Sequence, residues 1–296
     1  MGPGSGPGWQ SSLWHGLSSP SPNPIKSRGA GIAGLVCRRR VLVKDQREIT
    51  QMQRRTVLAG LAAAPLVASL PVRAQPAADT IATSAGDVTI TPVKHASLVI
   101  GFGDEVIYVD PSGADFSALP PATAILITHG HGDHFDVATL LEVAGDTAPI
   151  LTTEEVLGKL PEGLKPRGTA LKNGESGTLN GIAVDAVAAY NTTPDRQTYH
   201  PQGVGNGYVL TFGDKRIYVA GDTEPTPEML ALTDIAVAFL PMNLPYTMSA
   251  EQFAEAVRTF KPAITYPYHY QGSDPSGLQE AVGDASEIRL RDWYPA

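Results

Sequence analysis

From about residue 85 the chain is built of short apolar and β-branched runs separated by turn residues. "DVTITPV" (87–93), "SLVIGF" (97–102) and "EVIYVD" (105–110) predict strands, the last two joined across Gly103-Asp104 as a hairpin. "ATAILIT" (122–128) has no alternation and predicts a strand buried on both faces. Helical spacing takes over in "DVATLLEVAG" (136–145), with Asp136 as N-cap and Gly145 just past the end. "TEEVLGKL" (153–160) predicts a second short helix with acids in its first turn.

The same order then repeats. "SGTLNGIAVDAVAAY" (176–190) predicts two strands turning at Asn180-Gly181, and "GYVLTFGDKRIYVAGD" (207–222) a hairpin turning at Gly213-Asp214. "DIAVAFLP" (234–241) predicts a buried strand. "SAEQFAEAVRTF" (249–260) predicts a helix opened by a Ser249/Gln252 capping box, and "AITYPYH" (263–269) a final strand. Two similar halves, each of antiparallel strands, a buried strand and helices, predict an α/β fold of two sheets packed face to face with helices outside. No linker interrupts residues 85–296, so residues 75–296 are expected to form one domain.

Upstream, the pattern changes. Residues 1–51 are Gly-, Ser- and Pro-rich without apolar periodicity, which predicts disorder. Residues 52–74 run from Met52 through Arg54-Arg55 to an apolar stretch ending at Leu70 and then Val72-Arg73-Ala74. A charged start, a short apolar core and a small-residue cleavage pattern describe an export signal. Paired arginines directly before the core resemble a twin-arginine signal, which implies the twin-arginine export machinery as partner and a periplasmic or secreted destination. The core is too short, and too broken by Pro65, for stable membrane insertion. A signal belongs at the start of a chain, so Met52 is the expected true start.

Charge follows the same division. The first 74 residues carry a net +8 and the remainder a net −16, giving −8 in all. So acidic a body argues against nucleic acid as a partner, because phosphate contacts need a basic face, and favours a small-molecule substrate. The single cysteine, Cys37, lies upstream, so any metal in the body must be held by His, Asp or Glu.

Those residue types concentrate in one place. Directly after the apolar run comes "HGHGDH", with His129, His131, Asp133 and His134 in six positions. Gly130 and Gly132 permit a tight loop, and extended geometry past Thr128 would put His129 and His131 on one side. Imidazole and carboxylate at this density point to divalent metal, with zinc expected and iron or manganese as alternatives. "GVGNGY" (203–208) has glycine-loop spacing but precedes a strand, so a phosphate-cradling role is excluded.

His129-x-His131-x-Asp133-His134 resembles the signature of the metallo-β-lactamase superfamily. "IYVAGDTE" (217–224), "AITYPYHY" (263–270) and "IYVDP" (107–111) resemble further segments of that family, in order along the chain. The resemblance implies a four-layer αβ/βα sandwich of two mixed sheets with two divalent ions at the sheet edge. It implies Asp222 as bridging carboxylate, His269 as last histidine ligand and Asp110 as a supporting aspartate. "LPMNLPYTMSAEQFAEA" (240–256) is most similar to the ascorbate-6-phosphate lactonase-like branch. That branch implies a metal-bound hydroxide, positioned by Asp133 beside His134, attacking an ester, lactone or phosphoester. Phosphodiesterase action of the N-acyl-phosphatidylethanolamine phospholipase D type is the alternative, and a non-catalytic exported metal-binding protein is another.

One departure stands out. The branch has a histidine about thirty residues before the bridging aspartate, where this chain has Asn191. A neutral amide is a weaker zinc ligand, and His200, nine residues on, is the other candidate. Chains of the resembling family often place a histidine near the metals where His95 stands, in "VKHASLVI" (93–100); a hydrogen-bonded histidine at a strand edge is expected ahead of direct ligation. Tyr266, Tyr268 and Tyr270 are expected to pack.

Overall fold

The computed structural model describes residues 78–294. The segment 1–51 and the export signal expected over 52–74 lie outside the described residues. The alternation of side chains along each strand decides the architecture. In Ser97–Phe102 (β3), Leu98 and Ile100 face one cluster of buried residues while Val99 faces another. Both faces are therefore covered, and the period-2 pleat sorts the residues between them.

The first sheet runs Asp79–Thr83 (β1), Gly86–Lys94 (β2), β3, Glu105–Val109 (β4), Ala124–Leu126 (β5), Ile150–Thr152 (β6) and Gly168–Ala170 (β7), in that spatial order. Strands β1 to β4 pair antiparallel, and β4 to β7 pair parallel. The second sheet repeats the plan with Ser176–Leu179 (β8), Ile182–Ala189 (β9), Gly205–Phe212 (β10), Lys215–Val219 (β11), Ile235–Pro241 (β12), Ile264–Tyr268 (β13) and Glu287–Ile288 (β14). There β8 to β11 are antiparallel and β11 to β14 parallel.

The sheets bury one core between them, where Ile100, Leu126, Tyr208, Phe239, Tyr266, Tyr268 and Trp293 meet. Outside the first sheet lie the helices Val137–Val143 (α1) and Glu154–Lys159 (α2), packed on Tyr108, Ile125 and Ile127. Outside the second lie Pro227–Leu230 (α3), Ala250–Phe260 (α4) and Leu278–Val282 (α5), packed on Val209, Ala238 and Leu240. This is the expected four-layer αβ/βα sandwich of two mixed sheets. Truncating Phe239, fully buried at its centre, to Ala costs about 3–5 kcal/mol.

Local signals fixed the helix ends. The Asp136 carboxylate accepts from Thr139 N, and Gly145 takes the left-handed conformation (φ +48°) just past the helix. Ser249 and Gln252 form the reciprocal capping box. One boundary differs. The strand expected over 122–128 narrows to Ala124–Leu126, because Thr128 N donates to the Asp110 carboxylate (2.7 Å) instead of to a neighbouring strand.

Candidate metal centre

Every candidate residue but two follows the C-terminal end of a strand. Asp110 comes after β4, the 129–134 loop after β5, Asn191 after β9, Asp222 after β11 and His269 after β13. Parallel strands sharing a direction bring these ends to one edge, which is where open α/β sheets place their sites. His200 arrives from the loop between β9 and β10, and His95 from the turn between β2 and β3.

Asp110 anchors the first half of the site. Its buried carboxylate accepts from Thr128 N (2.7 Å), Thr128 Oγ1 (2.7 Å) and His134 Nδ1 (2.8 Å). The His134 proton is thereby fixed on Nδ1, and Nε2 faces Asp222 Oδ1 at 3.2 Å. A carboxylate that orients an imidazole in this way is the usual support of a metal-ligating histidine. Asp110 (φ +45°), His95 (φ +54°) and His269 (φ +47°) all adopt left-handed backbone, which is uncommon for residues with a Cβ and gathers at functional sites.

The second half delivers one residue per element. Asp222 follows Gly221, whose φ of +65° and whose approach to Thr128 would put an added Cβ 3.0 Å from the Thr128 Cβ. Asp222 Oδ2 lies 3.2 Å from His200 Nε2, 3.3 Å from His269 Nε2 and 3.9 Å from His129 Nε2. His269 Nε2 is also 3.3 Å from Asp133 Oδ2, and His95 Nε2 stands 3.2 Å from the same oxygen. His129 Nε2 and His131 Nδ1 are 3.0 Å apart, so these two do share a side.

His200, not Asn191, joins the histidines. His200 Nδ1 lies 3.0 Å from the Tyr246 carbonyl, which leaves Nε2 aimed at Asp222. Asn191 spends its amide hydrogens on the carbonyls of Arg196 (3.0 Å) and Tyr246 (2.7 Å), and its backbone N donates to His200 O. It shapes the loop that carries His200. The fully buried Glu224 does the same from below, accepting from Thr192 N, Thr192 Oγ1 and Thr193 N and pairing with Arg196. Arg196 in turn donates to Thr247 O (2.9 Å). Glu224 and Arg196 carried no sequence signal, since their pairing spans a loop. His95 was expected as a hydrogen-bonded histidine at a strand edge, with direct ligation as the alternative. It is hydrogen-bonded there to Tyr294 OH (2.8 Å), yet its other nitrogen enters the site. Tyr266 and Tyr268 pack in the core as expected.

Among the described residues, three sets of donor atoms fall within 4.8 Å of one another: His129, His131, His200 and Asp222; His134, Asp222 and His269; and His95, Asp133 and His269. Asp222 and His269 each belong to two of them. Several atoms here are buried without a hydrogen-bond partner, including His134 Nε2, His200 Nε2 and Asp222 Oδ1. Such atoms are costly unless something ligates them, and nitrogen and carboxylate oxygen together suit a divalent ion. The residues present therefore fit two adjacent cations sharing Asp222.

Protonation fits as well. Burial holds His129 well below the ordinary histidine range, and burial lowers His131 and His95 too. Neutral imidazoles are the form that binds metal. Burial alone would raise Asp222, but the charges of His269 and His134 outweigh it and hold it well below the usual carboxylate range. Burial likewise opposes charge on His134, but Asp222 and Asp110 raise it well above.

Two cavities open onto this centre, of 540 Å³ and 460 Å³, sharing His131, Thr198, Tyr199, His200 and Asp222 in their walls. Both have the size of small-molecule sites.

A model of the β-lactamase superfamily domain matches residues 107–270. A UPF0173 metal-dependent hydrolase from Thermococcus onnurineus is 31% identical over 219 residues, covering 68% of this chain and 95% of that protein. A UPF0173 metal-dependent hydrolase from Pyrococcus horikoshii is 29% identical over 218 residues, with the same coverage. Among solved structures, a candidate metal-dependent hydrolase from Parabacteroides distasonis is 42% identical, with a TM-score of 0.69, covering 74% of this chain and 99% of that one.

Proposed function

This chain belongs to the β-lactamase superfamily of metal-dependent hydrolases, and we propose that it hydrolyses a small ester, lactone or phosphoester at a centre of two zinc ions. What supports this is the convergence of all seven candidate ligands, His129, His131, Asp133, His134, His200, Asp222 and His269, on one sheet edge with buried donor atoms left unpaired. His129, His131 and His200 would hold one ion and Asp133, His134 and His269 the other, with Asp222 within reach of both sets. Bound divalent ions supply Lewis acidity and bring the pKa of water to about 7.

The chain's own residues supply the rest. Asp133 is the most exposed carboxylate of the centre, at 48%, and lines the smaller cavity. It is placed to accept a hydrogen bond from the attacking water and orient it. His95 Nε2 holds that carboxylate from behind (3.2 Å). Asp110 keeps His134 from rotating, and the Tyr246 carbonyl does the same for His200. Substrate enters through the cavities, whose shared wall is the Thr198–His200 segment.

Elemental analysis of the purified protein is expected to give two zinc ions per chain, with turnover of an ester, lactone or phosphoester probe that chelation abolishes. One tightly held ion and no turnover across such a panel would contradict the proposal. We further propose export to the periplasm by the twin-arginine route, resting on Arg54-Arg55 and the apolar run behind them. Fusing residues 52–74 to a folded reporter tests this; export abolished by Arg54→Lys with Arg55→Lys is expected, and export of the double variant would contradict it. Among the described residues no helix is long and apolar enough to cross a membrane.

A further inference from the structure

The loops around the centre are unusually apolar for an exposed surface. Among the described residues, seven large hydrophobic side chains are exposed, and three of them line the cavities: Tyr199 and Val204 from one loop and Tyr246 from another. Tyr199 and Tyr246 meet edge to face with centroids 5.0 Å apart. Both line the smaller cavity, and Tyr199 with Val204 lines the larger. Exposed apolar groups gathered at one mouth mark a binding surface, whereas scattered ones need no explanation.

Several polar groups of the larger cavity's wall are already engaged. In the larger cavity Asn173 Nδ2 donates to Gly205 O (2.9 Å) and Asn206 Oδ1 (2.6 Å), and Asn206 Nδ2 donates to Leu171 O (2.8 Å). Lys172 is the one Lys or Arg among the described residues lining either cavity, and it faces Glu154 at 3.4 Å. Glu154 and Glu155 occupy the first turn of α2, so that helix end meets carboxylates of its own chain. Apart from the ions themselves and the single Lys172, already facing Glu154, these walls offer no cationic side chain to a phosphate, for which an arginine or lysine clamp is the usual device.

We infer that the substrate is a neutral ester or lactone bearing an apolar substituent, and that Tyr199 and Tyr246 seat that substituent. The inference rests on the metal-dependent hydrolase function proposed above and narrows it to uncharged acyl substrates. Hydrolysis of such a lactone consumes one water. The water oxygen forms the new bond to the acyl carbon, the ring C–O bond breaks, and one water proton ends on the released hydroxyl while the other leaves the carboxylic acid for solvent.

The test compares γ-butyrolactone with γ-decalactone, which adds a six-carbon tail, on the zinc-loaded protein. Bis(p-nitrophenyl) phosphate is run beside them, all rates being expressed as enhancements over uncatalysed hydrolysis. The long-tailed lactone is expected to exceed the short one in kcat/KM by about tenfold or more, a step of the size a few buried methylenes give. Tyr199→Ala and Tyr246→Ala are each expected to shrink that ratio several-fold through KM. Equal kcat/KM for the two lactones, an unchanged ratio in both variants, or a larger enhancement for the phosphodiester would overturn it. If nothing is turned over, the hydrolase function fails, and calorimetry with the non-hydrolysable lactam bearing the same tail still decides the apolar seat. Tighter binding than the tail-less lactam, weakened in Tyr246→Ala, supports it; equal binding overturns it.

Discussion

The two halves of this molecule share one strand plan, four antiparallel strands leading into parallel ones, yet they build the metal centre in opposite ways. The first half supplies His129, His131, Asp133 and His134 from a single loop after β5, held by one buried carboxylate, Asp110. The second half supplies His200, Asp222 and His269 from three separated places, and a network around Glu224 and Arg196 keeps its loop in position. A cluster made within one loop is set by local geometry. A cluster assembled from three segments depends on the tertiary fold.

Asp222 is where the halves join, so its loss is expected to have the largest effect. Asp222→Ala should lose both ions and reduce turnover to background while the fold persists, read by elemental analysis and circular dichroism. Asp222 flanked by His129, His134, His200 and His269 cannot be spared if both ions depend on it. Next comes the anchor of the first half. Asp110→Asn keeps the shape but weakens the hold on His134 and the orientation it gives, and metal affinity is expected to fall about 10–100-fold in competition with a chelator. No change in affinity would mean that the compact loop holds itself.

The loop of the second half is expected to respond more gently. Glu224→Gln leaves Arg196 without its charge partner and should cost about 1–3 kcal/mol in denaturant unfolding, with zinc lost first from the ion that His200 holds. The smallest effect concerns the seam between the sheets. Asp79 on β1 accepts from Arg291 Nε (2.8 Å) and from Tyr266 OH on β13 (2.9 Å). Burial would raise Asp79, but these hydrogen bonds outweigh it and leave its pKa lowered. A lowered carboxylate stabilises the fold above its unfolded value of about 3.9 and loses that contribution as pH falls through the folded value. The stability advantage of wild type over Asp79→Asn, about 1 kcal/mol at pH 7, should therefore persist down to about pH 4 and fall away only at lower pH, through the folded value. A pH-independent difference would remove the ion pair from the account.

The same contrast explains what could be read from the chain alone. The strands with clear alternation or continuous apolar runs, the capping box at Ser249 and the Asp136 cap were legible because each signal is local. β1, β6 and β7 were not, being three to five residues long with no period to detect. "HGHGDH" was legible for the same reason as the caps. The choice between Asn191 and His200 was not, because it turns on Tyr246, Arg196 and Glu224, which lie up to 55 residues away in the chain. The strand-edge hydrogen bond of His95 was expected, and its reach into the site was left open. Its left-handed backbone, which no neighbouring residue signals, is what carries a strand-edge histidine to Asp133.

The central claim is that a scattered second half completes a second metal position through His200. Native mass spectrometry of the zinc-loaded protein and of His200→Ala, at matched free zinc, tests it most directly. Two ions in the wild type and one in the variant, with the fold intact, is the expected result. Two ions retained in His200→Ala, or a single ion in both proteins, would contradict it.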